Sequence, residues 1–213
     1  MRQAVDQVGA EHAAPAARRL ASRRAASMFV VYALAIGLLV GRLGRGRLER
    51  LAELRFRWAP AAIVGLVVQL AVFAPPVADA LGGRSGLGTV LYVGSTGLVL
   101  EAVVRNVRLP GLLFVAAGAL LNVAAIVANG GIMPTTLDAL VTAGLAPAAG
   151  FSNSALIADP ALPWLVDRFG LPAWLPLANV FSVGDVVLGL GLAVAVAAGM
   201  HGAARSGSRE GAA

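Results

Sequence analysis

Residues 109–128 carry the sequence LPGLLFVAAGALLNVAAIVA, in which no side chain is charged. A helix needs roughly 20 consecutive apolar residues to cross a hydrocarbon core of about 30 Å, and this stretch is long enough. Its apolar residues follow one another without the polar alternation of a β-barrel strand. The stretch therefore predicts a transmembrane helix.

Similar apolar stretches lie on both sides of this one, and two of them carry a single acidic residue, Glu101 or Asp185. Together they predict an all-α fold, a polytopic transmembrane helix bundle of about five spans. A long apolar interfacial segment is expected between spans four and five. The four other stretches are Ala25–Gly41, Trp58–Ala78, Gly86–Val104 and Leu177–Met200.

The composition supports this interpretation. The 213 residues are 58% hydrophobic and 13% charged, with a mean hydropathy of +0.80. This charged fraction is about half the usual one, which excludes an ordinary soluble enzyme and a disordered chain. Cysteine is absent, and the two histidines, His12 and His201, lie in polar tails. We therefore expect no disulfide, no Ser-His-Asp triad, no metal ion and no cofactor.

The distribution of arginine predicts the orientation. All 17 basic residues are arginine, and the successive connections contain six, one, two and one, with two more in the C-terminal tail. By the positive-inside rule, the first and third connections and the C-terminus face the cytoplasm, and the N-terminus lies outside the plasma membrane. Because the arginines flank apolar stretches, they favour anionic lipid headgroups over nucleic acid. The headgroup ligands expected in the first connection are Arg42, Arg45, Arg47, Arg50, Arg55 and Arg57.

The same connection carries Leu48, Leu51 and Leu54 at intervals of three residues among charged neighbours. This spacing predicts a short amphipathic helix on the membrane surface. A solvated charged loop that only fixes the orientation is the alternative.

We expect one transmembrane domain over residues 28–200, followed by a disordered tail over residues 201–213. Residues 1–27 contain five arginines on the predicted outer side, which contradicts the positive-inside rule. The contradiction disappears with Met28 as the true start. Two interpretations of residues 1–27 stay open, a disordered extension and an error in the gene's start site.

Residues 129–176 form the predicted interfacial segment. Their only charged residues are Asp138, Asp159, Asp167 and Arg168, and Trp164, Phe169 and Trp174 suit the headgroup region. Thr135 and Asp138 have the spacing of a capping box, and Gly144 suits the end of a helix, which predicts a helix over residues 136–143. A sixth span over Ala139–Ala158 is the alternative interpretation.

The candidate binding site lies beneath this segment. Asp185 falls about two turns inside span five, where a carboxylate facing lipid costs roughly 2.5–3.5 kcal/mol, so it faces protein or water. Asn129, Asn179 and Ser182 could complete a polar pocket with it. The motif after span four contributes Gly130, Gly131, Met133 and Pro134 to the same hypothesis. The competing interpretation is structural, with Asp185 locking a turn and both asparagines capping helix ends.

Four other polar residues within the spans are interpreted as structural. Glu101 and Arg105 have the spacing of a helical ion pair. Gln69 and Asn122 lie in the middle of spans, where hydrogen bonds between helices are more common than substrate binding. The pair Gly37-x-x-x-Gly41 indicates close helix packing.

The sequence resembles a family of uncharacterised bacterial membrane proteins, a domain of unknown function. The resemblance covers residues 28–200. Its motifs are an arginine- and leucine-rich stretch from Gly46 to Trp58, Gln69 in span two, N-G-G-x-M-P at Asn129–Pro134 and N-x-F-S-x-G-D at Asn179–Asp185. Since that family has no established activity, the resemblance implies a fold and no mechanism.

Three functions compete. The first is a non-enzymatic membrane protein that binds a small molecule, ion or lipid in the outer pocket, or that serves as a partner subunit. The second is a small ion-coupled transporter or transporter subunit that uses Asp185, with or without Glu101, as its titrating groups. Five spans without an internal repeat would need oligomerisation for this role. The third is a membrane-embedded enzyme on lipid-linked substrates that uses Asp185 with Asp167 or Arg168.

Overall fold

The computed structural model describes residues 28–72, 74, 77, 80, 86–145 and 154–202. The predicted N-terminal extension, the Pro75-Pro76 pair and nearly all of the C-terminal tail lie outside the described residues. Six α-helices and one short 3-10 helix, η1, are present in the described part of the chain. They are α1 (Met28–Leu43), η1 (Leu48–Glu53), α2 (Ala59–Val72), α3 (Gly86–Val104), α4 (Leu112–Ala128), α5 (Leu137–Ala143) and α6 (Val183–His201).

The all-α prediction needs a correction, because four short strands lie between α4 and α6. The strand β1 (Met133–Thr135) pairs in parallel with β2 (Ser154–Leu156), and β3 (Phe169–Gly170) pairs antiparallel with β4 (Val180–Phe181). We call residues 129–181, without 146–153, the connecting segment. The strands are two or three residues long, too short for the periodicity that distinguishes a strand in sequence.

The helix boundaries show where local turns interrupt apolar sequence. Residues 86–104 form α3 as predicted. The predicted fifth span began too early, because Val180–Phe181 is a strand and α6 begins only after the N-cap Ser182. The predicted fourth span also began early, since Gly111, with φ of +83°, precedes the first residue of α4. A left-handed glycine of this kind separates a turn from a helix.

The short helix α5 corrects one capping prediction and excludes the sixth span. Its N-cap is Thr136, whose side chain accepts a hydrogen bond from the Ala139 amide, and not Thr135. Gly144 ends the helix with φ of +63°, as the sequence predicts. A continuous helix over 139–158 is not formed, because residues 154–156 belong to β2.

Close packing around α6 organises the bundle, and glycine permits it. Helix α1 packs along α6, and a β-carbon added to Gly37 would lie 2.8 Å from the Ala193 carbonyl oxygen. Helix α4 packs on another side of α6, where Gly118 faces the backbone of Gly184. Small residues at such contacts let helix backbones approach each other. The third strong pairing joins α2 to α3, and α3 in turn contacts α4.

The contacts define two ends of the bundle. At one, called the arginine end, the Arg47 amide donates to the Met200 carbonyl over 2.8 Å and Asn106 binds the backbone of Arg57. At the other end, Phe29 stacks on Phe181 with ring centroids 4.9 Å apart. The Tyr32 hydroxyl of α1 donates to the Pro176 carbonyl at this same end, so the connecting segment lies against the helices here.

Two helices, α3 and α6, are long and apolar enough to cross a membrane. Helices α1, α2 and α4 are apolar but shorter, at 16, 14 and 17 residues. The predicted amphipathic helix is the 3-10 helix η1. Its Leu51, together with Leu54 just beyond it, lies against Gly199 of α6.

Candidate functional site

The candidate site begins with the residues that start α6. Ser182 is the N-cap: its backbone amide donates to Asp185 Oδ2 over 2.9 Å, and the Asp185 amide donates to Ser182 Oγ over 3.0 Å. This reciprocal pattern is a capping box with aspartate at the fourth position. Ser182 is fully buried, so the box lies inside the protein. Asp185 therefore has a structural role, because its hydrogen bonds hold the first turn of α6.

Asn122 of α4 joins this box from the neighbouring helix. Its Nδ2 donates to Asp185 Oδ1 over 2.8 Å, and the Ser182 hydroxyl lies 2.8 Å from Asn122 Oδ1. The hydroxyl also lies 3.0 Å from Asp185 Oδ2, and its one proton serves one acceptor at a time. The contact requires Gly184, because a β-carbon there would collide with Asn122 Oδ1. Asn122, expected to be structural, is thus part of the candidate site.

Asp167, in the connecting segment, lies near enough to Asp185 to interact with it electrostatically. Its amide donates to the Pro134 carbonyl over 2.9 Å, and its carbonyl accepts from the Thr136 amide over 3.0 Å, which fixes it beside β1. The residue is only 8% exposed. Burial, and after it the charge of Asp185, raises the pKa of the Asp167 carboxyl to about 8. Asp167 therefore retains its proton at neutral pH.

Tyr92 of α3 completes what we call the polar cluster: Tyr92, Asn122, Asp167, Ser182 and Asp185. The phenol interacts electrostatically with both carboxylates. The sequence analysis missed Tyr92, because one tyrosine in an apolar helix carries no pattern. Asp167 appeared there only as an accessory to an enzymatic hypothesis.

The polar cluster has two acids and, in the described part of the chain, no basic partner. The ion pairs among these residues join Arg47 to Glu49 and Arg105 to Glu101, both away from the cluster. No group of three or more metal-binding side chains occurs in the same residues. The cluster borders a crevice of about 10 Å³ between α3 and α4, lined by apolar residues with Tyr92 and Thr96. That volume holds about one water molecule.

The two asparagines of the pocket hypothesis behave differently. Asn129 is the C-cap of α4 and lies apart from the cluster's hydrogen bonds. Its side chain donates to the Ala161 carbonyl over 2.9 Å and accepts from the Ala161 amide over 2.8 Å, which holds the connecting segment. Asn179 is 2% exposed, and its Oδ1 has no hydrogen-bond partner among the described residues.

The N-G-G-x-M-P motif shapes the turn after α4. Gly130 and Gly131 have φ of +71° and +89°, and a side chain at Gly131 would collide with Thr89. Met133 and Pro134 are buried in β1, with Met133 against Ala125 and Ile126. These four residues position the segment that carries Asp167.

The remaining predicted polar residues lie elsewhere. Gln69 Nε2 donates to Thr96 Oγ1 over 3.0 Å, between α2 and α3. Glu101 pairs with Arg105 over 2.6 Å at the arginine end, and the Arg105 guanidinium lies 3.9 Å from the centre of the Trp58 ring. Asn106, which the sequence analysis missed, binds both backbone groups of Arg57 and the Ala102 carbonyl.

The fold and the cluster define a mostly helical protein with two potential membrane-spanning helices and two neighbouring acidic residues, of which Asp167 is buried. The chain belongs to a family of unknown function, DUF5317, whose family model matches residues 53–197. The resemblance to an uncharacterised family is thereby confirmed, and the matched part contains the polar cluster. Neither a curated protein nor a solved structure matches the chain.

Proposed function

We propose that this chain is a non-enzymatic, multi-pass membrane protein that binds a small cation, the proton included, at the polar cluster. The observation that carries the proposal is the pair of carboxylates, Asp167 and Asp185. Asp167 is buried, the two interact electrostatically, and neither forms an ion pair among the described residues. Neighbouring carboxylates in a low-dielectric site cannot both stay ionised without an offsetting positive charge. A proton or a small cation supplies that charge.

Exposed apolar side chains support the multi-pass part of the proposal. Helix α2 buries only Gly65 and Val72, and all five long helices turn large apolar side chains outward. A soluble monomer rarely exposes contiguous apolar surface on this scale, whereas lipid-facing helices must. Examples are Ile36 and Leu39 on α1, Val67 and Leu70 on α2, Val90 on α3, Leu113 and Leu120 on α4, and Leu190 on α6.

The arginines support an orientation with the polar cluster outside. The arginine end contains eight described arginines, against one, Arg168, at the end with the connecting segment. The positive-inside rule then assigns the arginine end to the cytoplasm, with the start of α1 outside and the end of α6 inside. The eight are Arg42, Arg45, Arg47, Arg50, Arg55, Arg57, Arg105 and Arg108, the first six of which we propose as anionic lipid contacts.

The binding proposal is tested by thermal unfolding of the purified protein in detergent. The cations Na⁺, K⁺, Mg²⁺, Ca²⁺ and methylammonium are each titrated at fixed ionic strength and fixed pH. A cation that binds the native cluster raises the melting temperature with its concentration. Asp167→Asn and Asp185→Asn remove one carboxylate each and should abolish that rise.

The matched control is Asp138→Asn, which removes an exposed carboxylate of α5 in the same connecting segment. This variant should retain the full response. An equal response of all three variants would assign the effect to the general surface and contradict the proposal. No response to any metal or ammonium cation leaves the proton as the only ligand, and the pH dependence argued below then decides.

A transporter is the second candidate, because polar groups continue from the cluster into the bundle. Tyr92 is followed along α3 by Thr96, whose hydroxyl donates to the Tyr92 carbonyl and accepts from Gln69. Proteoliposome flux of protons or Na⁺ tests this role. Flux that is lost in Asp185→Asn and Gln69→Leu would favour transport over simple binding.

A further inference from the structure

The connecting segment turns large apolar and aromatic side chains outward. Trp174 is 80% exposed and Trp164 is 57% exposed. On α5, Ala139, Leu140 and Ala143 pack inward, while Leu137 and Val141, one turn apart, are each more than half exposed. Contiguous apolar side chains of this size are unfavourable on the outer side of a loop that faces water. Tryptophan, by contrast, is enriched where lipid headgroups meet acyl chains.

The length of α4 indicates what covers this surface. With a rise of about 1.5 Å per residue, α4 is only ~26 Å long, against a hydrocarbon core of about 30 Å. In the proposed orientation, Arg105 and Arg108, which precede α4, lie at the opposite, cytoplasmic surface. The part of the hydrocarbon core that α4 does not span therefore lies at the end of the bundle that carries the connecting segment.

The connecting segment is also bound directly to α1. The Tyr32 hydroxyl of α1 donates to the Pro176 carbonyl. Phe181 stacks on both Phe29 and Phe169, with centroid distances of 4.9 and 5.5 Å. These contacts hold the part of the connecting segment next to Trp174 against Phe29 and Tyr32 of α1.

We propose that the connecting segment is embedded in the outer leaflet, and that a lipid monolayer is the partner of its exposed face. Trp164 and Trp174 lie at the boundary between headgroups and acyl chains, as amphipathic interfacial segments do. Arg168, exposed and next in sequence to Asp167, supplies a cation for a lipid phosphate. The inference rests on the multi-pass part of the proposed function and is independent of cation binding.

Tryptophan fluorescence tests this placement, because the chain has three tryptophans, Trp58, Trp164 and Trp174. Single-tryptophan proteins are made with Trp58→Phe plus either Trp164→Phe or Trp174→Phe. A depth control carries Leu120→Trp, in the middle of α4, with all three native tryptophans changed to phenylalanine. Each is reconstituted into phosphatidylcholine vesicles brominated near the headgroup or near the chain ends, and acrylamide is the aqueous quencher.

The expected result is about twofold stronger quenching of Trp164 and Trp174 by shallow than by deep bromine, with little quenching by acrylamide. The reporter at position 120 should show the opposite depth preference. Quenching of Trp164 and Trp174 by acrylamide alone would overturn the inference while position 120 upholds the transmembrane bundle. Protection from both bromine and acrylamide would assign the surface to another protein chain, and it would also overturn the inference. Absence of bromine quenching at position 120 would contradict the multi-pass proposal itself.

Discussion

Asp167 is a carboxylic acid whose surroundings favour the neutral form. Its side chain is buried, and the carboxylate of Asp185 and the phenol of Tyr92 lie near it. Arg168, its neighbour in sequence, points its guanidinium over the Phe169 ring at 5.9 Å. Because the pKa is raised from 3.8 to about 8, native Asp167 retains a proton that the unfolded chain releases. The free energy of unfolding therefore contains a contribution from this proton that is lost as the pH rises.

The sign of this linkage gives a prediction. Asp167 contributes fully below its unfolded pKa of 3.8, and its contribution declines as the pH rises to the folded value of about 8. The melting temperature of the wild type should fall over this range. Asp167→Asn, which is neutral at every pH, should show a flatter profile and should melt above the wild type at about pH 8.

Two companion variants make this measurement decisive. Asp138→Asn, on the exposed side of α5, should keep the wild-type slope. Asp185→Asn removes the neighbouring charge and lowers the folded pKa of Asp167, so the decline should end at a lower pH. Equal slopes in the wild type and in Asp167→Asn would contradict the assignment of the bound proton to Asp167.

The sequence identified part of the polar cluster and missed the rest for a physical reason. Ser182 and Asp185 are three positions apart at a helix start, a spacing that local chemistry makes recognisable. Tyr92, Asn122 and Asp167 come from three other parts of the chain, and only the tertiary packing brings them together. Asn129 belongs to a motif that stands out in sequence, and in the structure it caps α4 and binds both backbone groups of Ala161.

At the scale of secondary structure elements, the contact of α4 with α6 determines whether the polar cluster forms. Gly118 and Gly184 face each other across this contact, and a β-carbon at Gly184 would lie 2.9 Å from the Gly118 carbonyl oxygen and collide with Asn122. Helices that approach this closely cannot absorb a methyl group without moving apart.

Gly184→Ala should therefore separate α4 from α6 and break the hydrogen bond from Asn122 to Asp185. We expect a loss of about 1–3 kcal/mol in the free energy of unfolding, measured by denaturation in mixed micelles. The matched control is Gly94→Ala in α3, where an added β-carbon meets nothing within 4 Å. That variant should be neutral or slightly stabilising, since alanine favours helix more than glycine does. Equal effects of both substitutions would show that the contact with Asn122 is unimportant.

The elements that could be predicted were those whose apolar sequence is long. Helix α3 matches its predicted bounds, and the stop of α5 at Gly144 follows from the left-handed conformation that glycine allows. The strands could not be predicted, because each depends on a partner distant in sequence: Met133 pairs with Ser154, and Phe169 pairs with Phe181. Helix α6 begins later than predicted for the same reason, because Val180 and Phe181 pair with β3 and do not extend the helix.

At the scale of the whole molecule, the two ends differ in charge. The arginine end is formed by the end of α1, the loop that contains η1, the turn between α3 and α4, and the end of α6. These segments are distant in sequence, yet all of them carry arginine or bind a segment that does. The number of arginines in each connection and the folded structure therefore agree on which loops lie at the same end of the bundle.

Since the chain contains no cysteine, single introduced cysteines report the orientation. Ala52→Cys in η1 and Asp159→Cys in the connecting segment place exposed thiols at opposite ends. In intact cells, a membrane-impermeant maleimide should label position 159 and leave position 52 unlabelled until the membrane is permeabilised. Labelling of position 52 alone would invert the protein and turn the polar cluster towards the cytoplasm, so that its cation would come from the cell interior. Labelling of both positions in intact cells would mean that the two ends are not separated by a membrane, and it would contradict the multi-pass proposal.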